Sequence, residues 1–184
     1  MNILVVGGAG YIGSHMIKML SKEGYDVVVL DNLSTGFRYA VRYGELVVGD
    51  LADINLLENL FTQHSFDGVI HFAANSLVGE SIQHPFKYYR NNVSNTLNLL
   101  DVMVRHNVKH FIFSSTAATF GEPKYVPIDE AHPQEPINPY GASKLMIERI
   151  LKDYADAYDL NSVCLRYFNA CGADPEGELG ENHD

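Results

Sequence analysis

The chain has little of what a secreted, membrane-bound or nucleic-acid-binding protein needs. It contains two cysteines, Cys164 and Cys171, in 184 residues. Two thiols are too few, and too unlike a metal-ligand spacing, to make a zinc site. Free thiols in a reducing compartment are expected, and a cytoplasmic location with them. No apolar run approaches the ~18 residues that span a bilayer. Residues 1–20 run straight into a strand–turn–helix pattern, so no secretory signal is expected. Basic residues are scarce: 13 Lys and Arg stand against 23 Asp and Glu, a formal charge of −10. With no basic cluster, nucleic-acid binding is disfavoured. What is plentiful is apolar side chain, 46% of the sequence, which argues for a packed core. A single domain of this length buries roughly 70% of its unfolded surface.

The densest signal is the glycine segment Gly7-Gly8-Ala9-Gly10-Tyr11-Ile12-Gly13. It follows the apolar run Ile3–Val6 and opens a helical pattern at Ile12, Met16, Ile17 and Leu20. Strand, glycine turn and helix in that order form a dinucleotide pyrophosphate site. Gly7 is expected to make the tight turn and Gly10 to let backbone approach phosphate oxygens. Gly13 is expected to let the helix pack on the strand, aiming its free N–H groups at the anion. The next apolar run, 26–30, ends in Asp31, near the ~20-residue offset of a ribose-binding acid. A carboxylate there accepts from ribose hydroxyls and repels a 2′-phosphate, so NAD is favoured over NADP.

Apolar runs at 2–7, 26–31, 45–48, 67–72, 109–114 and 161–166 read as strands with helical segments between them. The expected fold is α/β: a Rossmann-type doubly wound parallel sheet covered on both faces. Helices are expected over 53–64, with Asp53 as N-cap, and over 85–105, from an apolar stripe at Tyr89, Val93, Leu97, Leu100 and Val104. A further helix is expected over 139–157. Residues 121–138 hold four prolines and break any regular element; so long a loop in a compact domain is expected to be functional. His71, at a strand end, reads as structural.

Residues 140–144 spell Tyr-x-x-x-Lys. The motif is short enough to arise by chance, so its context matters. Asn138 and Pro139 read as N-cap and first-turn residue, which places Tyr140 at a helix start and Lys144 one turn on, on the same face. A free phenol titrates at about 10. A nearby ammonium, the helix N-terminus and a nicotinamide cation would each lower that value, making Tyr140 a base that takes the proton of a hydroxyl while hydride leaves the same carbon. The run 111–113 leads into Ser114-Ser115-Thr116, at the carboxyl edge where open α/β sheets bind ligands. Thr116 is the expected hydroxyl to hydrogen-bond the reacting oxygen.

Taken together, these segments resemble the extended short-chain dehydrogenase/reductase family, and within it the UDP-glucose 4-epimerases. The resemblance rests on GGAGYIGSH at 7–15, DNLSTG at 31–36, GDL at 49–51, HFAA at 71–74, VGES at 78–81 and YYRNNV at 88–93. It continues through SSTAATFG at 114–121, YGASK at 140–144 and LRYFNACGA at 165–173. It implies that Tyr11 and Ile12 meet the pyrophosphate and that Asp31, Asn32, Leu33, Ser34, Thr35 and Gly36 wrap the adenosine ribose. Asp50 and Leu51 would contact adenine, and Phe72, Ala73 and Ala74 the middle of the cofactor. Asn91, Ser114, Lys144 and Phe168 would complete the NAD site, and Asn169 would hold the diphosphate of a UDP-sugar. The implied reaction uses Tyr140, Lys144 and Thr116. Hydride leaves sugar C4 for NAD, the 4-ketopyranose turns over, and hydride returns to its other face with no net redox. No metal is implied.

Relatives that eliminate water carry an Asp-Glu pair after the threonine; here Ala117 and Ala118 stand there, which argues against dehydration. Ser76 stands where some epimerases carry a lysine. Family members continue for well over a hundred further residues. Residues 1–171 are therefore expected to be the NAD-binding domain, and 172–184 the start of a loop leading to an absent substrate domain. Three readings stay open: an epimerase of UDP-glucose and UDP-galactose, an epimerase of another nucleotide sugar such as a UDP-N-acetylhexosamine or UDP-uronate, and a non-catalytic module that holds NAD or dimerises. The family commonly pairs as a homodimer through two long helices, here 85–105 and 139–157.

Overall fold

A computed structural model describes residues 1–182. Six parallel strands form one sheet: β1 (Asn2–Val6), β2 (Asp26–Asp31), β3 (Glu45–Val48), β4 (Gly68–His71), β5 (His110–Thr116) and β6 (Asn161–Tyr167). Their order is β3-β2-β1-β4-β5-β6, with the direction of progress reversing at β1. That reversal opens a crevice beyond the carboxyl ends of β1 and β4, where such sheets take ligands. Six helices connect or flank the strands: α1 (Tyr11–Lys22), α2 (Ile54–Gln63), α3 (Val78–Gln83), α4 (Pro85–Tyr88), α5 (Asn95–Arg105) and α6 (Pro139–Tyr158). Among the described residues, no helix is long and apolar enough to cross a membrane.

Strand alternation divides the core in two. Leu4, Val6, Val28, Leu30, Phe111 and Phe113 face α2, α5 and α6 and form the larger core with Leu57, Leu99, Met103, Ile147 and Leu151. Ile3, Val5, Val27, Val29 and Ile70 face Ile17 on α1. Both faces are thus covered, which is why the strands read as continuous apolar runs.

Two expected helix starts have the anticipated chemistry. Asp53 accepts from the Leu56 amide at 3.0 Å, and Asn138 accepts from the Gly141 amide at 2.8 Å. Asp159 ends α6 in the left-handed conformation, with φ 56°.

Four features depart from the sequence reading. The 85–105 helix is interrupted: Tyr89–Ser94 forms a π-helical turn between α4 and α5. Asn92 there is clamped to the backbone of Asn75, and the Thr96 hydroxyl donates to the Asn92 carbonyl at 2.7 Å; side-chain bonds of this kind widen a helix locally. The apolar stripe is also displaced. Leu99, Leu100, Val102 and Met103 are buried, whereas Tyr89, Val93, Leu97 and Val104 are only half-buried. α3 had no counterpart in the sequence reading. Finally, β5 extends through Thr116 because β6 pairs with it that far, Thr116 opposite Tyr167.

The acidic segment after β6 packs back on the fold. The Tyr11 hydroxyl donates to the Gly172 carbonyl at 2.6 Å. Lys18 on α1, 4% exposed, meets Asp174, Glu176 and Glu178 at 2.7, 2.8 and 2.9 Å. Lys22 also pairs with Glu176. Burial disfavours the Lys18 ammonium, but the three carboxylates outweigh it and hold its pKa above the usual lysine range. His183 and Asp184, the end of the expected 172–184 loop, lie outside the described residues.

Candidate active site

The glycine turn behaves as three different positions. Gly7 has φ +81°, and a Cβ on it would lie 2.5 Å from the Ala73 amide nitrogen. A Cβ on Gly13 would lie 2.2 Å from the Gly7 carbonyl oxygen, so α1 can approach β1 only without a side chain there. Gly10 is different: a Cβ would meet only that same oxygen, at 3.4 Å. The protein leaves the space above Gly10 open. Gly10 is also the N-cap of α1 and provides no side-chain cap for the first-turn N–H groups.

Those residues border a groove at the sheet's reversal point. Its walls include Gly7, Gly10, Asp31, Asn32, Ser34, Thr35 and Gly36 from the first two strand ends. Asp50, Leu51, Phe72, Ala73, Ala74 and Asn91 close the other side. Thirteen positions expected to hold a dinucleotide therefore share one groove. Val6, Leu30 and Gly49 line it too, without having been anticipated. Tyr11, Ile12 and Gly13 in the first turn of α1 and Leu33 in the loop after β2 lie beside it but do not line it. Asp31 also holds the loops together, its carboxylate accepting from the Ala9 amide at 2.9 Å and from the Leu33 amide at 2.8 Å. The acid thus ties the glycine turn to the loop after β2. Asp50 accepts from Asn32 at 2.6 Å and from the Ala52 amide at 2.8 Å, closing the far end.

The second cluster gathers where β5 ends and α6 begins. Thr116 caps the short turn Ala117–Thr119, accepting from the Ala118 amide at 3.1 Å. Its side chain lies beside the Tyr140 phenol and acts on its titration. Burial pushes the Tyr140 phenol up, and the Thr116 hydroxyl opposes that shift. The phenol therefore departs from the low value anticipated from its sequence neighbours: Lys144 is not among the groups that act on it. Lys144 is 2% exposed. Its ammonium donates to the Ser114 carbonyl at 2.7 Å and lies 4.7 Å over the Phe113 ring. Burial lowers its pKa to about 7, so this side chain exchanges a proton near neutrality. What α6 takes from Ser114 is thus its carbonyl. Phe168 and Asn169 follow β6 and are exposed, with Phe168 6.5 Å from Phe120.

His71 is fully buried and held neutral, its pKa lowered to about 3 by burial and then by the nearby Lys144 charge. Its Nε2 lies 3.3 Å from the Thr96 hydroxyl.

The sequence matches the model of the NAD dependent epimerase/dehydratase family over residues 3–183. The chain belongs to that family. It is 55% identical to the UDP-glucose 4-epimerase of Halalkalibacterium halodurans, covering 100% of this chain and 55% of that relative. It is 50% identical to UDP-arabinose 4-epimerase 1 of Arabidopsis thaliana, covering 98% of this chain and 45% of that one. The crystal structure of UDP-glucose 4-epimerase from Brucella ovis in complex with NAD superposes with a TM-score of 0.97 at 54% identity, over 99% of this chain and 56% of that one. The chain thus spans about half the length of the curated relatives it matches.

Several residues of this family member do site work that the sequence reading missed. Asn92 and Ser143 are buried and joined at 3.1 Å, while Ser143 donates to the Tyr140 carbonyl at 2.7 Å. This chain of bonds runs from the Asn75 backbone to the residue carrying the phenol. Both sit inside motifs already quoted, but only as neighbours of the expected residues. Gly141 lets α6 touch the 117–119 turn: a Cβ there would fall 2.4 Å from the Ala118 carbonyl oxygen. His132 folds the 121–138 segment around itself, accepting from the Lys124 amide at 3.0 Å and packing on Phe120 and Tyr125.

Proposed function

We propose that this chain is the nucleotide-binding portion of an NAD-dependent UDP-sugar 4-epimerase, with residues 1–171 as the cofactor-binding body. The observation that carries the reading is the pairing of an open dinucleotide groove with the cluster of Thr116, Tyr140 and Lys144 where β5 ends and α6 begins, Lys144 being held on the Ser114 carbonyl there. The residues fit NAD. Space is left above Gly10 that a Cβ would occupy, the first turn of α1 has no side-chain cap, and Asp31 stands where it favours free ribose hydroxyls over a 2′-phosphate. The groove residues Gly10, Asp31–Gly36, Asp50, Leu51 and Phe72–Ala74 would hold the cofactor, with Asn91, Ser114, Lys144 and Phe168 toward its reactive end. The chemistry supplied by that cofactor is reversible hydride acceptance at sugar C4.

The protein's own part is proton handling and placement. Tyr140 takes the proton of the 4-hydroxyl and later gives it back. Thr116 would hold the sugar oxygen, and its hydroxyl favours the phenolate against the cost of burial. Lys144 titrates near neutrality and is held in place by its hydrogen bond to the Ser114 carbonyl. Asn169 would bind the sugar-nucleotide diphosphate. Relatives named for UDP-glucose and for UDP-arabinose match almost equally well, which supports a shared step at C4 and leaves the sugar open. Half-buried Leu97 and Val104 on α5, with exposed Met146 on α6, support pairing of two copies through these helices.

The test is NAD content of the purified protein, followed by conversion of UDP-galactose and UDP-arabinose by it and by Tyr140→Phe. Bound NAD and turnover that vanishes with the phenol are expected. Protein free of NAD after supplementation would refute the reading. NAD without turnover would refute activity of this chain alone and leave a cofactor-holding module.

A further inference from the structure

Four separate segments meet on one carboxylate behind the candidate site. Glu148 lies on α6 one turn beyond Lys144 and two beyond Tyr140, so the three side chains form one stripe. It is 4% exposed. One oxygen accepts from the Ser115 hydroxyl at 2.5 Å and from Arg166 Nε at 3.0 Å. The other accepts from Arg166 Nη2 at 2.7 Å and from Gln134 Nε2 at 3.1 Å. Burial raises the Glu148 pKa, but these donors outweigh it and keep the group ionised.

The partners belong to the elements that build the site. Ser115 and Arg166 are register partners across the β5–β6 ladder. Ser115 stands between Ser114, whose carbonyl receives Lys144, and Thr116, whose side chain lies beside the Tyr140 phenol. Gln134 comes from the 121–138 segment. Arg166 lies two residues before Phe168 and covers the Phe120 ring at 5.2 Å. A buried ion pair is by itself weak evidence of added stability, because desolvation opposes the Coulombic gain. The four matched bonds of Glu148 instead impose one arrangement on four segments.

We propose that Glu148 is a positioning residue for the Thr116–Tyr140 couple, acting through Ser115 and Arg166 and holding the 121–138 segment through Gln134. The catalytic part of this rests on the reading of Tyr140 as the base; the geometric part does not.

Ser115→Ala gives the cleaner test, since it removes one bond and changes no charge. Tyr140 is titrated by phenolate absorbance as the difference between each protein and its Tyr140→Phe counterpart, with no sugar needed. The groups facing the phenol are Thr116 at the end of β5 and Tyr88 on α4; Lys144, on its own helix, is turned to the Ser114 carbonyl. Displacing Thr116 removes the influence that lowers the phenol, so its midpoint is expected to rise. Glu148→Gln is expected to lower kcat roughly tenfold to a hundredfold with KM and NAD content within about twofold, as misplaced geometry does. An unchanged Tyr140 midpoint in folded Ser115→Ala overturns the proposal, whatever the turnover. A raised midpoint in a protein without epimerase activity supports the positioning role and refutes only the activity of this chain by itself.

Discussion

Gly141→Ala separates packing from chemistry at the start of α6. The added Cβ would sit 2.4 Å from the Ala118 carbonyl oxygen and 2.9 Å from its carbonyl carbon. Both atoms are backbone and cannot rotate away. Restoring ordinary contact at 3.4 Å needs about 1 Å of separation between α6 and the 117–119 turn, the direction that moves Tyr140 away from Thr116. Overpacking of this kind costs roughly 1–3 kcal/mol, and alanine's better helix propensity returns only about 0.5–1 kcal/mol of it. At 2–4 °C per kcal/mol for a chain this long, the melting temperature should fall by up to about 10 °C. A misplacement of about 1 Å lowers turnover up to about a hundredfold. Gly79→Ala is the control: it lies in α3, with nothing within 4 Å of its added Cβ, and should be neutral or slightly stabilising. Thermal unfolding and UDP-galactose conversion are measured on both. If Gly141→Ala melts and turns over like Gly79→Ala, the close contact between α6 and the 117–119 turn does not set the site's geometry.

Two other perturbations test the electrostatics. Lys144 titrates at about 7 in the fold against 10.5 for an ordinary lysine. Between those values the unfolded chain holds more protons, so stability rises with pH across that window, by at most about 1.4 kcal/mol per pH unit. Lys144→Met should flatten the rise in urea unfolding at pH 7, 8 and 9; equal slopes in both proteins would mean that the ammonium stays charged when folded. Lys18→Met removes the cation on which Asp174, Glu176 and Glu178 converge. Hydrogen exchange at the Glu178 amide, which donates to Asp174 at 3.1 Å, should accelerate, and an unchanged rate would show that the turn holds itself without Lys18.

The departures from the sequence reading share a cause. The stripe Tyr89–Val93–Leu97–Leu100–Val104 has sound spacing for one regular helix, but the π-helical turn at Tyr89–Ser94 rotates α5 away from that register. The bonds of Asn92 to Asn75 and of Thr96 to Asn92 accompany that turn, and the first of them joins residues seventeen apart. The tail after β6 reads from sequence only as the start of a loop; its partner, Lys18, lies more than 150 positions away. Tyr140 read as a phenol with a lowered pKa because its sequence neighbours are cationic and helical. Packing instead buries it and turns the Lys144 ammonium to the Ser114 carbonyl.

By itself the sequence determined whatever depends on a few consecutive residues. It specified the strands along the chain, the glycine turn with Gly7 and Gly13, Asp31 at the end of β2, the caps Asp53 and Asn138, and Tyr140 and Lys144 on one helical face. Such features follow from backbone sterics, side-chain period and local hydrogen bonding, all readable within a turn or a strand. Tertiary structure alone decided the Asn92–Ser143 link, the meeting of Ser115, Gln134 and Arg166 on Glu148, and the protonation of His71, Tyr140 and Lys144. Those depend on which distant groups arrive and how much water they displace, and desolvation has no signature along a linear chain.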